Sequence, residues 1–430
     1  MRQPEPETAA VSHPGSAFKG LARVKVIFLL GVLSAFGPLS IDMYLPALPS
    51  LQSHFHATAS QVQLTLTACL IGLALGQMLA GPLSDSFGRR RPLLVGVSAF
   101  ALASLLCAVA PSIALLTVGR LIQGIAGSAG IVLAQAVVRD LYSGTAMLKF
   151  FSTLMLVNGA APILAPVVGS QLLRVTGWQG LFVVLAGIGV ALFIGVYVDL
   201  PESLPIERRR SASLSETTRA FRSLAADRRF VGYALAGGLG FAAMFAYISG
   251  SPFVAEQVYG LSPQAFSVFF GVNALGIILI GQVNGWLAGK VAPARLLQTG
   301  LVQCAVGGAG LIAVTVAGLG FWPTAVCLWV VVASMGFLLP STAALALAGQ
   351  ADNAGTASAF IGVARFLLGA LAAPLTGPGA GSVLAKTLPM ATVVAALGVA
   401  ALLVYVVLVR RAPEDAAERV TAGDTVRQAI

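Results

Sequence analysis

The sequence predicts an all-α membrane protein with twelve transmembrane helices in two six-helix halves. Three observations predict it. The chain of 430 residues is 57% hydrophobic and 10% charged, with a mean hydropathy of +0.89, more apolar surface than a water-soluble chain of this length can bury. Its apolar residues gather in blocks long enough for membrane-crossing helices of about 20 residues, well beyond the ~10 residues of a barrel strand. A polar, basic stretch over residues 200–229 divides these blocks into six and six.

In chain order, residues 1–23 are polar and lack an apolar core followed by a cleavage site, so they read as a cytoplasmic tail. Spans beginning near Val24, Val62, Pro92, Ser112, Phe150 and Trp178 form the N-terminal half, 24–199. After the linker, spans beginning near Phe230, Ala265, Leu296, Trp322, Thr356 and Thr387 form the C-terminal half, 230–409, and 410–430 is a second cytoplasmic tail. From Ser213 the linker has amphipathic spacing, with Leu214, Phe221 and Leu224 expected to face the membrane. A faint repeat supports two related halves: Gly76-Gln77 recurs as Gly281-Gln282, and Arg90 falls on Arg295 at the same offset of 205 residues.

The formal charge of +10 does not mark a nucleic-acid binder. With the N-terminus inside, all of the 26 Lys and Arg except Arg120, Arg174, Arg365 and Lys386 fall in cytoplasmic tails and loops, which leaves 22 there. That bias sets topology and places the basic loops against anionic headgroups. Cys69, Cys107, Cys304 and Cys327 lie in apolar spans as small hydrophobes. His54 and His56 fall in an outer loop without further ligands, so no metal and no cofactor is expected, and the chain is expected to be a monomer. No paired acids or Ser/His or Cys/His set falls within the spans, which argues against an enzyme.

Asp42 is the one carboxylate well inside an apolar block, VKVIFLLGVLSAFGPLSIDMYLPALP. A charge there is costly and serves function where it faces a cavity. It stands about 27 Å along an ideal helix from Val24 and shortly before Pro46 and Pro49, so two readings remain: a proton-binding cavity acid, or a cap at the outer mouth. Between spans two and three, Gly81-Pro82-Leu83-Ser84-Asp85-Ser86-Phe87-Gly88-Arg89-Arg90-Arg91-Pro92 reads as a tight turn. Gly81 and Gly88 permit close approach or positive φ, Asp85 can pair with an Arg of its own loop or a neighbouring helix end, and Pro92 can open the next helix. In span four, Arg120, Gln123, Gly124 and Gly127 share a helix face. Arg120, roughly 12 Å from the outer end, must be paired or hydrated. In span five, Gly159, Pro162, Pro166 and Gly169 share another face, where prolines bend the helix and glycines admit a partner.

The loop motif resembles that of the major facilitator superfamily, and Arg120-x-x-Gln123-Gly124 is similar to the span-four motif of its proton-coupled members. The span-five run looks like the superfamily's antiporter motif, with Ala161-Pro162 in place of the usual Gly-Pro. Ser40-Ile41-Asp42-Met43-Tyr44-Leu45-Pro46-Ala47-Leu48-Pro49 resembles the first-span signature of the Bcr/CflA drug-resistance exporters, and Ala354-Gly355-Thr356-Ala357-Ser358-Ala359-Phe360 before Arg365-Phe366 looks like their eleventh span.

The resemblance implies the major facilitator fold and export of drug-like small molecules in exchange for protons. It implies proton coupling at Asp42 tuned by Arg120, and a latch at Gly81, Asp85, Gly88, Arg89 and Arg90 that is formed outward-open and broken on inward opening. Some multidrug relatives carry a second acid where this chain has Ser34, and a single acid leaves neutral or monocationic substrates. Tyr44, Gln123, Phe241, Met244, Phe245, Asn273 and Arg365 are candidate cavity residues. The aromatic and Met positions also read as packing, and Arg365 as a structural pairing. A metabolite exporter of the same fold is the alternative function, and a membrane enzyme or passive channel is the alternative of another class.

Overall fold

The computed structural model describes residues 21–142, 144–209, 214–348, 350, 354–379 and 381–410. The expected tails 1–23 and 410–430 and the middle of the linker therefore lie almost wholly outside the described residues. Among the described residues, eleven helices are long and apolar enough to cross a membrane: Ala59–Phe87, Arg90–Ala108, Ile113–Leu141, Leu156–Val175, Trp178–Asp199, Arg228–Val258, Pro263–Leu287, Pro293–Val316, Phe321–Leu347, Gly355–Thr376 and Val383–Arg410. A broken pair, Lys25–Ser34 and Phe36–His54, bent by 49°, precedes them and makes the twelfth. These are spans two to twelve and span one, and each begins within a few residues of its expected start. The all-α fold class holds.

Local chemistry explains the ends. Thr58 opens span two with a reciprocal cap: its hydroxyl accepts from Gln61 N at 3.2 Å while Gln61 Oε1 accepts from Thr58 N at 2.8 Å. Ser112 Oγ accepts from Leu115 N at the start of span four, and Pro293 opens span nine, where a missing N–H costs nothing. Span one breaks at Ala35 because Pro38 has no N–H to give the Ser34 carbonyl, which its ring also crowds. Pro46 and Pro49 do not end the span. They stand in the first turns of a 3₁₀ segment, Leu45–Ala47, and a short helix, Leu48–His54, which carry it onward.

The chain divides into two compact units. The first holds Met1–Ser213, Ile248–Leu275 and Ala373–Met390, so the later part of span seven and the earlier part of span eight pack with spans one to six. Within it, spans two and four meet backbone to backbone. A Cβ on Gly72 would strike the Leu121 carbonyl, one on Gly124 the Cys69 carbonyl, and one on Gly76 the Ile125 carbonyl. The second unit holds Leu214–Tyr247, Gly276–Ala372 and Ala391–Ile430. There Gly336 of span ten lies against the Gly281 nitrogen and Ile277 carbonyl of span eight. The repeated Gly-Gln pair thus lies beside a close approach in each unit, but Gly76 itself makes room in the first while Gly336 does so in the second, and a Cβ on Gly281 would meet nothing within 4 Å.

The linker helix Leu214–Ala226 corrects one expectation. Its apolar residues turn to protein rather than lipid: Leu224 is buried with Phe230, Ala346 and Ile361, and Phe221 meets Phe360 at 5.6 Å. The side chain of Leu214 lies outside the described residues.

Candidate functional site

Asp42 ends the second helical piece of span one, 12 residues before the span closes at His54 (54 − 42), so it sits inside the span and not at its end. It is 6% exposed, and its carboxylate makes no hydrogen bond or ion pair among the described residues. Directly after it, the Met43 carbonyl lies where a Cβ on Gly169 of span five would be. Only glycine lets the two backbones come so close.

Arg120 does not pair with Asp42. It is fully buried, with its guanidinium 4.8 Å from the Tyr44 ring centre and 5.8 Å from that of Phe182. Nη1 donates to Gln123 Oε1, and Gln123 Nε2 donates to Ser104 Oγ at 2.7 Å. Tyr44 is fixed in turn by a 3.0 Å hydroxyl contact with Thr65. The reason is helical geometry. Residues two apart point to opposite sides, so a chain that aims Tyr44 at Arg120 aims Asp42 away. Ser34, at the place of the second acid in some relatives, accepts from Asn158 Nδ2 of span five at 3.2 Å.

The expected latch is more helical than the sequence suggests. Span two runs to Phe87, so Gly81 and Asp85 are helix residues, and nothing lies within 4 Å of a Cβ at Gly81. Only Gly88, at φ +85°, makes the turn. Arg89 Nη1 pairs with Asp85 at 2.6 Å and Nε with Asp140 of span four at 2.9 Å. Burial alone would ease the proton off Arg89, but Asp140 and Asp85 outweigh it and hold the guanidinium charged beyond its usual range. Glu202, just past span six, accepts from the backbone nitrogens of Arg89 at 2.7 Å and Arg90 at 3.2 Å. Arg90 lies over the Tyr197 ring at 5.4 Å and donates to the Tyr197 carbonyl.

On span five, Pro166 and Gly169 are buried, while Gly159 and Pro162 are half-buried. Ser267 of span eight donates to the Pro166 carbonyl at 2.9 Å, and Gln264 Nε2 to the Ser170 carbonyl at 2.9 Å. The motif is thus held by span one on one flank and span eight on the other.

Of the seven expected cavity residues, only Phe241 and Arg365 are partly open. Tyr44 and Gln123 are fully buried as partners of Arg120, which corrects their placement on a cavity wall. Met244, Phe245 and Asn273 are buried as well; Asn273 Nδ2 donates to the Phe269 carbonyl at 2.8 Å within its own helix.

Sequence reasoning missed three groups. Asp140 and Glu202 reach the loop from 51 and 113 residues away, a distance no local pattern records. Gln63 is fully buried in span two, where Nε2 donates to the Ser249 carbonyl of span seven and to Thr376 Oγ1 of span eleven, each at 3.0 Å. Glu256 is a further acid within a spanning helix, because span seven extends through a π-helical end, Val254–Val258. A polar residue between apolar neighbours was the signal for Gln63, and span seven runs on through Pro252 to reach Glu256.

Two glycine-fused groups of spanning helices, a buried unpaired acid and arginines deep within the spans define the class: a polytopic membrane transporter. The chain belongs to the Major Facilitator Superfamily, whose model matches residues 29–374. It is 41% identical over 360 residues to the uncharacterized MFS-type transporter YdgK of Bacillus subtilis, covering 83% of this chain and 90% of that one. It is 33% identical over 345 residues to a bicyclomycin resistance protein homolog of Haemophilus influenzae, covering 80% and 87%. In fold it is similar to the crystal structure of a peptide transporter POT in complex with sulfate, with a TM-score of 0.74, 14% identity and coverage of 94% and 96%. These relatives are transporters and not enzymes.

Proposed function

We propose that this chain is a proton-coupled antiporter that exports drugs or other toxic small molecules across a bacterial inner membrane by alternating access. One observation carries the reading: Asp42, buried and unpaired in the middle of a broken span, sits where span one presses on the antiporter-like face of span five. A carboxyl group cut off from water and cations holds its proton, and one reached by water gives it up. A helix pair that alternates between those surroundings carries protons one way and can drive substrate the other. The relationship to a bicyclomycin resistance homolog supports drug-like substrates.

In this reading Arg120 sets the positive field of the first unit, while Arg89, held between Asp85 and Asp140, belongs to the latch. The excess of Lys and Arg in the tails and linker places these on the cytoplasmic side, against anionic headgroups. The protein works as a monomer without a cofactor, on the proton gradient alone.

The test is drug-evoked proton movement in energised everted vesicles. Wild type responds to chloramphenicol or bicyclomycin, and Asp42→Asn protein, present in equal amount, does not. A wild-type response that survives in Asp42→Asn would remove Asp42 from the coupling step, and no response to any drug would sink the export reading.

A further inference from the structure

Arg365 lies midway along span eleven, Gly355–Thr376. A guanidinium has five N–H donors. Here the hydrogen bonds are made by one nitrogen, Nη2, to the Leu339 carbonyl at 3.2 Å and Thr342 Oγ1 at 3.4 Å. The second is weak because it is long; the same hydroxyl donates its own proton to the Leu338 carbonyl at 2.6 Å. Nε is buried without a partner, and no carboxylate pairs with Arg365 among the described residues. A charge left so in a membrane span is costly.

Beside it is a surface of the opposite character. Phe366, the next residue, meets Phe241 of span seven edge-on at 5.7 Å, and both rings are half-open. Gly369, one turn on from Arg365 and so on the same face, has Phe241 and Phe245 directly on its backbone: a Cβ there would lie 3.2 Å and 3.3 Å from them. Unused donor capacity and half-open aromatic rings therefore lie within about one helical turn of each other along span eleven.

We infer that Arg365, Phe241 and Phe366 form a recognition site for a flat apolar substrate that carries an acceptor oxygen: a carboxylate, nitro or carbonyl group. The rings stack on the body, and the free donors of Arg365 take the oxygen. The inference rests on the export reading and deepens it. It also narrows the earlier expectation of neutral or monocationic cargo, because an uncompensated guanidinium repels a cation and this site favours neutral or anionic molecules.

The test is equilibrium binding to the full-length protein in nanodiscs with three probes that carry a flat aromatic ring system: chloramphenicol, a neutral nitrophenyl compound; nalidixate, a carboxylate; and ethidium, a cation. Arg365→Met is expected to weaken chloramphenicol and nalidixate by about tenfold or more and to leave ethidium unchanged or tighter. Arg365→Lys, which keeps the charge and loses the fork, should weaken the two acceptors by roughly threefold to tenfold with ethidium unchanged. Should Arg365→Met fail to fold, the Lys variant decides alone. Equal losses for all three probes would show a structural staple and overturn the inference, as would no change. Wild type that binds ethidium alone overturns this site while export stands, and wild type that binds none overturns both.

Discussion

Two arginines, Arg120 and Arg365, lie well inside the spans rather than near a helix end, and their surroundings are opposite. Arg120 of span four is fully buried, covered by the Tyr44 and Phe182 rings and tied through Gln123 to Ser104. Arg365 of span eleven is half-open, held by one nitrogen to span ten, with half-open aromatic rings beside it. Neither has a carboxylate partner among the described residues. The same residue type thus supplies a sealed field in one unit and an accessible donor in the other. Closure by rings costs little geometry and admits no ligand; an uncovered fork invites one.

The largest effect that would sharpen the contrast is at Arg120. Arg120→Lys keeps a charge but cannot stack flat on Tyr44 while reaching Gln123, so transport should fall by about 100-fold for every substrate alike. Arg365 variants, in contrast, should sort substrates by their acceptor groups. An Arg120→Lys protein whose losses depended on the substrate, measured by drug-evoked proton movement, would erase the distinction between the two sites. A smaller effect tests the cover itself. Tyr44→Leu removes the ring from Arg120 and should lower transport by about tenfold, whereas Tyr44→Phe keeps the ring, loses only the Thr65 contact and should stay near wild type. Equal activity of the Leu and Phe variants would mean that the ring does not hold the guanidinium.

Periodicity and composition carried most of the fold. All twelve spans were readable because a bilayer demands long apolar runs, and that demand is local in sequence. The interior of span one was less so. Pro46 and Pro49 look like terminators, but in first-turn positions they continue the span, while Pro38 makes the break. The site was half readable. Asp42 and Arg120 stand out as charges among apolar residues, and the resemblance implied that one tunes the other, yet the helix turn between Asp42 and Tyr44 keeps the two from pairing. Partners such as Asp140, Glu202 and the Gln63 node were hidden because they meet across 51 to 313 residues of chain.

The central claim is that Asp42 holds the coupled proton, and proton release on drug binding tests it most directly. Purified wild-type protein in weakly buffered solution should release about one proton per drug bound, as a single exchanging acid requires. Asp42→Asn should bind drug and release none. Undiminished release from Asp42→Asn protein that still binds drug would contradict the account and move the proton to another group, with Glu256 the next carboxylate to replace.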